Sequence, residues 1–401
     1  MDYDYIIVGA GAAGLHCGLR LLQNNKSLKV LILEKYNYIG GRVVTYHKEL
    51  DDGTNLQWEN GAGRIHDSHK LVKKYIKKYG LHTHSLNGEH FYQSRDGVLE
   101  QNRFQEQAAD FLAPLQDLPS ATLRSSTLEQ LSRLVHGRQA TTEFFKQFPY
   151  RAEVTTMRAD VALDNFLNVG GVADTGFFVV QEGLGAMIMG MAADFVKAGG
   201  TIIMGQTVKH VKSLGSSNHE VVTHDDSGRK LHFIAKKVIM ALHCKALSQI
   251  PECASWPLLK HVVMRPLLRV YAHWSSGKWM SFLEGKRVVF GNNPLRHFIP
   301  VGPNTAMISY TDADDTTTWM RDAWSNPKGL ERRMMKALRE AFPNKDIPDP
   351  VFFKAHPWSE GCSYWLPNGP PDLEKISLEI RPGVYACGES FSPDKHCWVE
   401  G

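Results

Sequence analysis

Two periods of apolar residues alternate at the start of this chain. Tyr3 to Val8 is a short β-branched run closed by glycines, the pattern of a buried strand. Leu15 to Asn24 predicts a helix with Leu15, Leu19, Leu21 and Leu22 toward a sheet. Lys29 to Leu33 (KVLIL) predicts a second buried strand. A mostly helical link between the two strands is what a parallel pair requires, so the chain opens on a βαβ unit.

Further on, Ser68 to Tyr79 predicts a helix. Leu71, Val72, Tyr75, Ile76 and Tyr79 share one face, Lys73, Lys74, Lys77 and Lys78 the other, and Gly80 is the expected C-cap. The lysines read as a solvated face in preference to a phosphate or membrane patch. Residues 100 to 150 are polar with helical character. Ala186 to Ala198 is a Met-rich apolar helix stopped by Gly199-Gly200, its methionines core rather than ligands. Strands are predicted at Thr201–Met204, Thr207–Leu214, Glu220–Thr223, Lys237–Ala241 and Val384–Cys387. A second sheet is predicted from Leu268–Trp274, Val288–Phe290 and Ala306–Tyr310, with a helix at Gly329–Phe342.

The chain has 401 residues, long enough for two or three domains and for a core that needs no staple. A net charge of +4 is too mild for a nucleic-acid binder without a concentrated patch. Six cysteines without a CxxC favour a reducing compartment, and no apolar run approaches a membrane span. The amino terminus has no basic n-region, so a soluble, cytoplasmic protein without a signal peptide is expected. Asp312, Asp314 and Asp315 lack the Gly and Glu of a Ca²⁺ loop and read as a solvated loop. No metal is expected.

The chemistry begins at Gly9-Ala10-Gly11-Ala12-Ala13-Gly14, a G-x-G-x-x-G between a predicted strand and helix. Gly9 permits the tight turn, Gly11 lets a pyrophosphate approach the backbone, and Gly14 lets helix and strand pack closely. The helix N-terminus offers unpaired N–H groups to the phosphates. Glu34, at the end of the second strand, can accept both ribose hydroxyls, and its charge disfavours a 2′-phosphate. Gly40-Gly41-Arg42 follows, placing a guanidinium near the pyrophosphate.

These residues resemble the flavin-containing amine oxidase superfamily: monoamine, polyamine and L-amino acid oxidases. The resemblance implies an α/β fold, with a discontinuous FAD-binding Rossmann-type domain (1–66, 181–262 and 372–401) and an α+β substrate-binding domain (67–180 and 263–371). It implies FAD contacts at Gly9, Gly11, Ala13, Gly14, Glu34, Lys35, Gly41, Arg42, Gly63 and Arg64. At the C-terminal end, Val384-Tyr385-Ala386-Cys387-Gly388-Glu389 is similar to the family's strand and Gly-Glu pair, with Gly388 meeting a phosphate and Glu389 by the ribityl chain. Trp398-Val399-Glu400-Gly401 is similar to the segment whose backbone, at Val399, reaches the flavin pyrimidine. Val208 would contact the adenine through its backbone. Relatives continue past the final Gly with an Ala and a helix; if Gly401 is the native terminus the pyrimidine end is expected to be less supported, the other reading being that the sequence is truncated here.

For the substrate, the resemblance implies Trp398 as one aromatic wall, with Tyr364 or Trp365 opposite. Arg64 stands where L-amino acid oxidases carry an Arg, and the stretch His69 to Leu81 also resembles theirs. A buried Arg64 would anchor a carboxylate, or it would serve the cofactor or a structural carboxylate. Cys362 falls at or beside the cysteine that carries the flavin in monoamine oxidases, though Ser363 stands where those have a Tyr. Arg269 replaces the family's Lys, which holds a water beside the flavin; Arg cannot deprotonate. The activity implied is oxidation of an amine or amino acid at the C–N bond to an imine, with oxygen as acceptor and peroxide as product. Three alternatives stand beside it: an L-amino acid oxidase anchored by Arg64, a catalytically silent flavin-binding structural protein, and a flavin desaturase or isomerase. Expected partners are a small-molecule substrate and oxygen, with no nucleic acid and no membrane.

Overall fold

The computed structural model describes residues 2–86, 90–94, 97–168, 176–215, 218–393 and 399–401, with the backbone only at Gln105 and Asn168. The chain divides into two compact units: Met1–Ser85 with Phe178–Met264 and Pro370–Gly401, and Leu86–Phe177 with Arg265–Gly369. Both α/β character and mixed parallel and antiparallel sheets are present, as expected.

In the first unit, strand β1 (Asp2–Val8) runs parallel to β2 (Val30–Leu33), with Ile6 opposite Leu31 and Val8 opposite Leu33. Thr201–Ile203 extends the parallel set beyond β2. Lys230–Met240 and Val384–Ala386 extend it on the other side. Ile6, Ile7 and all of β2 are buried, which is why both read as unbroken apolar runs. Helix α1 (Ala12–Asn24) lies between β1 and β2 and buries Leu15, Leu19 and Leu22, with Leu21 only partly covered.

Lys230–Met240 is longer than the predicted Lys237–Ala241. Its first half pairs antiparallel with Asn218–His224 and alternates in burial, so its apolar signal is diluted there. The Met-rich helix Leu184–Lys197 buries Met187 and Met191 but turns Met189 outward.

Helix α2 (Lys70–Lys78) buries Val72, Tyr75 and Ile76, and its five lysines are exposed. Lys73 pairs with Asp67 at 2.6 Å and Lys78 with Asp194 at 2.5 Å. Gly80, at φ +64°, closes it as predicted: Leu81 N–H donates to Ile76 O and Gly80 N–H to Lys77 O.

The second unit holds a seven-stranded sheet in the order Phe352–Trp365, Val262–His273, Thr305–Asp312, His297–Pro300, Arg287–Phe290, His90–Gln93, Leu99–Gln101. The 14-residue strand Phe352–Trp365 has no clear alternating run in the sequence, because Pro357 and Gly361 interrupt it. It sits at the sheet edge, where a missing N–H is tolerated. The polar stretch after residue 100 forms helices Phe104–Gln116, Leu128–Lys146 and Ala159–Asn168, around buried Phe104, Phe144, Phe145 and Phe166. A capping box, Thr127 with Gln130, starts the second of these.

The acidic cluster is not a solvated loop. Only Asp314 is exposed. Asp312 is 4% exposed and accepts N–H bonds from Arg151 and Ala152 at 2.7 and 3.1 Å, at the start of helix Arg151–Thr155. Asp315 faces Arg296 at 3.0 Å. Among the described residues, no helix is long and apolar enough to cross a membrane.

Candidate active site

The first unit carries a glycine-lined turn at the start of α1. A Cβ on Gly14 would fall 2.0 Å from the Gly9 carbonyl oxygen, and one on Gly9 would fall 2.6 Å from Ala241 O, so close packing of β1, α1 and the 241 segment excludes side chains there. Gly11, the N-cap of α1, differs. Among the described residues, a Cβ at Gly11 would meet only Gly40 O, at 3.9 Å. The space above Gly11 is open, and no side chain caps the helix and no acidic residue lies in its first turn. An uncapped helix N-terminus beside open backbone suits a pyrophosphate.

Gly40 is bonded to this turn, its N–H donating to Ala10 O at 2.9 Å. Two residues on, Arg42 pairs with Glu389 at 2.6 Å. Gly388, just before Glu389, approaches α1: a Cβ there would lie 3.3 Å from Ala13 Cβ. Glu34 is buried and accepts N–H bonds from Ala10 at 2.8 Å and Tyr36 at 2.9 Å. Gln206 N–H donates to Glu34 O at 2.7 Å, which brings the start of Thr207–Leu214, and Val208 with it, toward the end of β2. Lys35 is exposed, Gly63 buried, and Arg64 half-buried rather than enclosed.

Two functional groups near the cradle escaped the sequence reading. His243 caps helix Cys244–Leu247, its Nδ1 accepting from Ala246 N–H at 3.2 Å. Burial first, then the positive charges of Arg42 and Lys35, push it down to about 4, against the pull of Glu389. It is therefore neutral at pH 7, as an accepting Nδ1 requires. Glu400 bonds the N–H groups of Leu71 and Val72, each at 2.8 Å, and so caps α2. Val399, beside it, is half-buried, while Trp398 lies outside the described residues.

The second unit supplies a buried cation among tyrosines. Arg269 lies opposite Tyr310 in antiparallel register, its guanidinium carbon 4.9 Å from the ring centroid. Tyr150 packs edge-on against Tyr310 at 5.1 Å. Burial opposes the Arg269 charge, but Tyr310, Tyr271 and Tyr150 together raise its pKa. His356 packs against Tyr271, and burial, with Lys354 and Arg269, pushes it down to about 3. Cys362 is a half-buried free thiol. Tyr364 is 3% exposed and Trp365 fully enclosed, its carbonyl accepting from Arg158 N–H. By strand alternation Tyr364 shares a face with Cys362, and Trp365 with Ser363.

Fold and cradle together define an α/β dinucleotide-binding protein. The profile of the family described as flavin containing amine oxidoreductase matches residues 12–401, and the chain belongs to that family. It is similar to polyamine oxidase 1 of Zea mays, 23% identical over 99% of this chain and 87% of that protein. It is also similar to polyamine oxidase 7 of Oryza sativa subsp. japonica, 24% identical over 99% of this chain and 91% of that one. An L-amino-acid oxidase of Sistrurus catenatus edwardsii is 40% identical, but over only 23% of this chain and 16% of its own. Its fold is that of putrescine oxidase, shown bound to putrescine: TM-score 0.74 at 14% identity, covering 100% of this chain and 96% of that one. The protein is an FAD-dependent amine oxidoreductase.

Proposed function

We propose that this chain oxidises the C–N bond of a small amine and passes the electrons to oxygen, yielding an imine that water hydrolyses, and hydrogen peroxide. The observation that carries the reading is the open position above Gly11, flanked by Gly40 and the Arg42–Glu389 pair. When bound there, FAD supplies the two-electron oxidation. Gly9, Gly11, Ala13 and Gly14 present backbone to the pyrophosphate, with Arg42, Gly41 and Gly388 around it. Glu34 takes the ribose hydroxyls while keeping its two backbone bonds, and Lys35 and Val208 lie toward the adenine end. Gly63, Arg64, Glu389, Trp398 and Val399 complete the set.

Arg269, Tyr364 and Trp365, from the second unit, and Trp398, from the C-terminal segment, are the proposed substrate-facing groups. Tyr364 is favoured over Trp365, because Trp365 has no exposed surface left to offer. A permanent Arg269 charge repels an ammonium, so the substrate reacts as the free amine; its planar fork can hold water but cannot accept a proton. Full-length similarity to polyamine oxidases, against partial similarity to L-amino-acid oxidases, supports an amine over an amino acid.

The test is anaerobic mixing of the FAD-loaded protein with putrescine, spermidine and a panel of L-amino acids. Bleaching of the flavin by an amine, with peroxide released on readmitting oxygen, is expected. No bleaching by any compound would leave a silent flavoprotein, and bleaching without reoxidation by oxygen would point to a desaturase or isomerase. A second reading, carboxylate anchoring by Arg64, rests on its match to the Arg of L-amino acid oxidases and not on burial, since it is only half-buried. Bleaching by amino acids that Arg64→Ala abolishes would establish it. Acid precipitation decides whether Cys362 carries the flavin: yellow colour in the pellet means it does.

A further inference from the structure

The first unit holds a pair of thiols that the amine chemistry does not use. Cys17 lies on α1, and Cys387 follows the strand Val384–Ala386. They come from opposite ends of the chain, yet their sulfurs are 3.7 Å apart. Both are free and half-buried. Both are also held by their surroundings. Cys17 sits within a regular helix, while Cys387 N–H donates to Met240 O at 3.2 Å. Forming a disulfide needs the sulfurs to close by roughly 1.7 Å. By contrast, Cys244 and Cys253 are enclosed, and burial pushes both thiols up to about 11.

We infer that Cys17 and Cys387 are a modification site: a peroxide-driven, reversible disulfide that ties α1 to the Gly388 turn and slows release of FAD. The clamp rests on the cofactor reading above, since Gly388 and α1 are its two walls. In the first step the Cys17 thiolate attacks hydrogen peroxide. An S–O bond forms, the O–O bond breaks, and hydroxide leaves, taking up a proton to become water. The Cys387 sulfur then attacks the sulfenic sulfur of Cys17. The S–S bond forms, the S–O bond breaks, and hydroxide leaves with the Cys387 proton as a second water. Two thiols lose two electrons and the peroxide gains them. The order follows from the environment. Its hydrogen bond with Cys387 holds Cys17 below the usual thiol range, and that bond together with burial holds Cys387 above it.

The experiment uses FAD-loaded protein, reduced, desalted, and exposed to a small excess of hydrogen peroxide. After alkylation and digestion without reductant, mass spectrometry should find the Cys17 and Cys387 peptides joined, two hydrogens lighter than their sum. Dithiothreitol should separate them. FAD release on dilution, followed by recovered flavin fluorescence, should slow roughly threefold or more in the oxidised protein. In Cys387→Ser, dimedone should label Cys17. Both cysteines alkylated after peroxide, or Cys17 running on to sulfinic acid in the wild type, would overturn the site. A joined pair with unchanged FAD release would overturn the clamp. Because the peroxide is added, failure here is separate from failure of the oxidase reading, which only substrate bleaching decides.

Discussion

Gly11→Ala adds one methyl group at the N-cap of α1 and separates cofactor binding from folding. The backbone there, φ −77° and ψ −179°, is open to any residue, and among the described residues outside its own turn the new Cβ would meet nothing nearer than Gly40 O at 3.9 Å. Ala is a poorer N-cap than Gly by about 0.5–1 kcal/mol, and the stiffer unfolded chain returns a similar amount. Stability should change by less than about 1 kcal/mol, a shift in Tm of no more than about 4 °C. On the proposed binding mode, the methyl occupies the space the pyrophosphate needs. Losing two charge-assisted N–H bonds at about 1.5–3 kcal/mol each costs roughly 3–6 kcal/mol. Affinity for FAD should therefore fall roughly 10²- to 10⁴-fold. Thermal unfolding of the apoprotein and a fluorescence titration with FAD read the two quantities separately. Gly14→Ala is the contrast: its Cβ would sit 2.0 Å from a backbone oxygen, so it should lose the fold along with the cofactor. A Gly11→Ala protein that binds FAD like the wild type, or that fails to fold, refutes the cradle.

Glu34→Ala strands the N–H groups of Ala10 and Tyr36, so urea unfolding should show a loss of about 2–4 kcal/mol, beyond any loss of FAD; a loss under about 0.5 kcal/mol would mean that these bonds are dispensable. Asp312 is held up at about 6, because desolvation outweighs its two backbone bonds and Arg296. The folded state thus binds its proton more tightly than the unfolded chain does, whose pKa is about 3.9. Its contribution to stability is full below about pH 4 and is lost as pH rises through about 6, on the order of 3 kcal/mol in all. His243 and His356, held neutral by burial, act in the opposite sense as pH falls below about 6.5, so the measurement is the wild type minus Asp312→Asn at each pH. A flat difference between pH 4 and 7 would remove Asp312 as the cause. Arg269→Lys can give up a proton where Arg cannot, and stopped-flow reoxidation by oxygen should speed up roughly tenfold or more without a change in FAD affinity. Equal rates would take Arg269 out of the oxygen step.

The chain's first 42 residues determined the glycine turn proposed to hold the cofactor by themselves. There the strand, the glycine turn, the helix and the buried carboxylate of Glu34 follow one another through a single βαβ unit, with the Gly-Gly-Arg in the turn just after it. Periodicity and glycine spacing state that geometry directly, because every interaction in it is local or one crossover apart. What only tertiary structure decided are the pairs that chain folding brings together across hundreds of positions. Arg42 meets Glu389, Glu400 caps α2, Cys17 meets Cys387, and Asp312 turns from an apparent surface acid into a helix cap on Arg151 and Ala152. A carboxylate or a thiol looks the same in a sequence whether water or a buried partner faces it. The edge strand Phe352–Trp365 was hidden for a related reason: a proline and a glycine deny it the alternation that marks a strand, and only its place at the rim of a finished sheet makes them harmless.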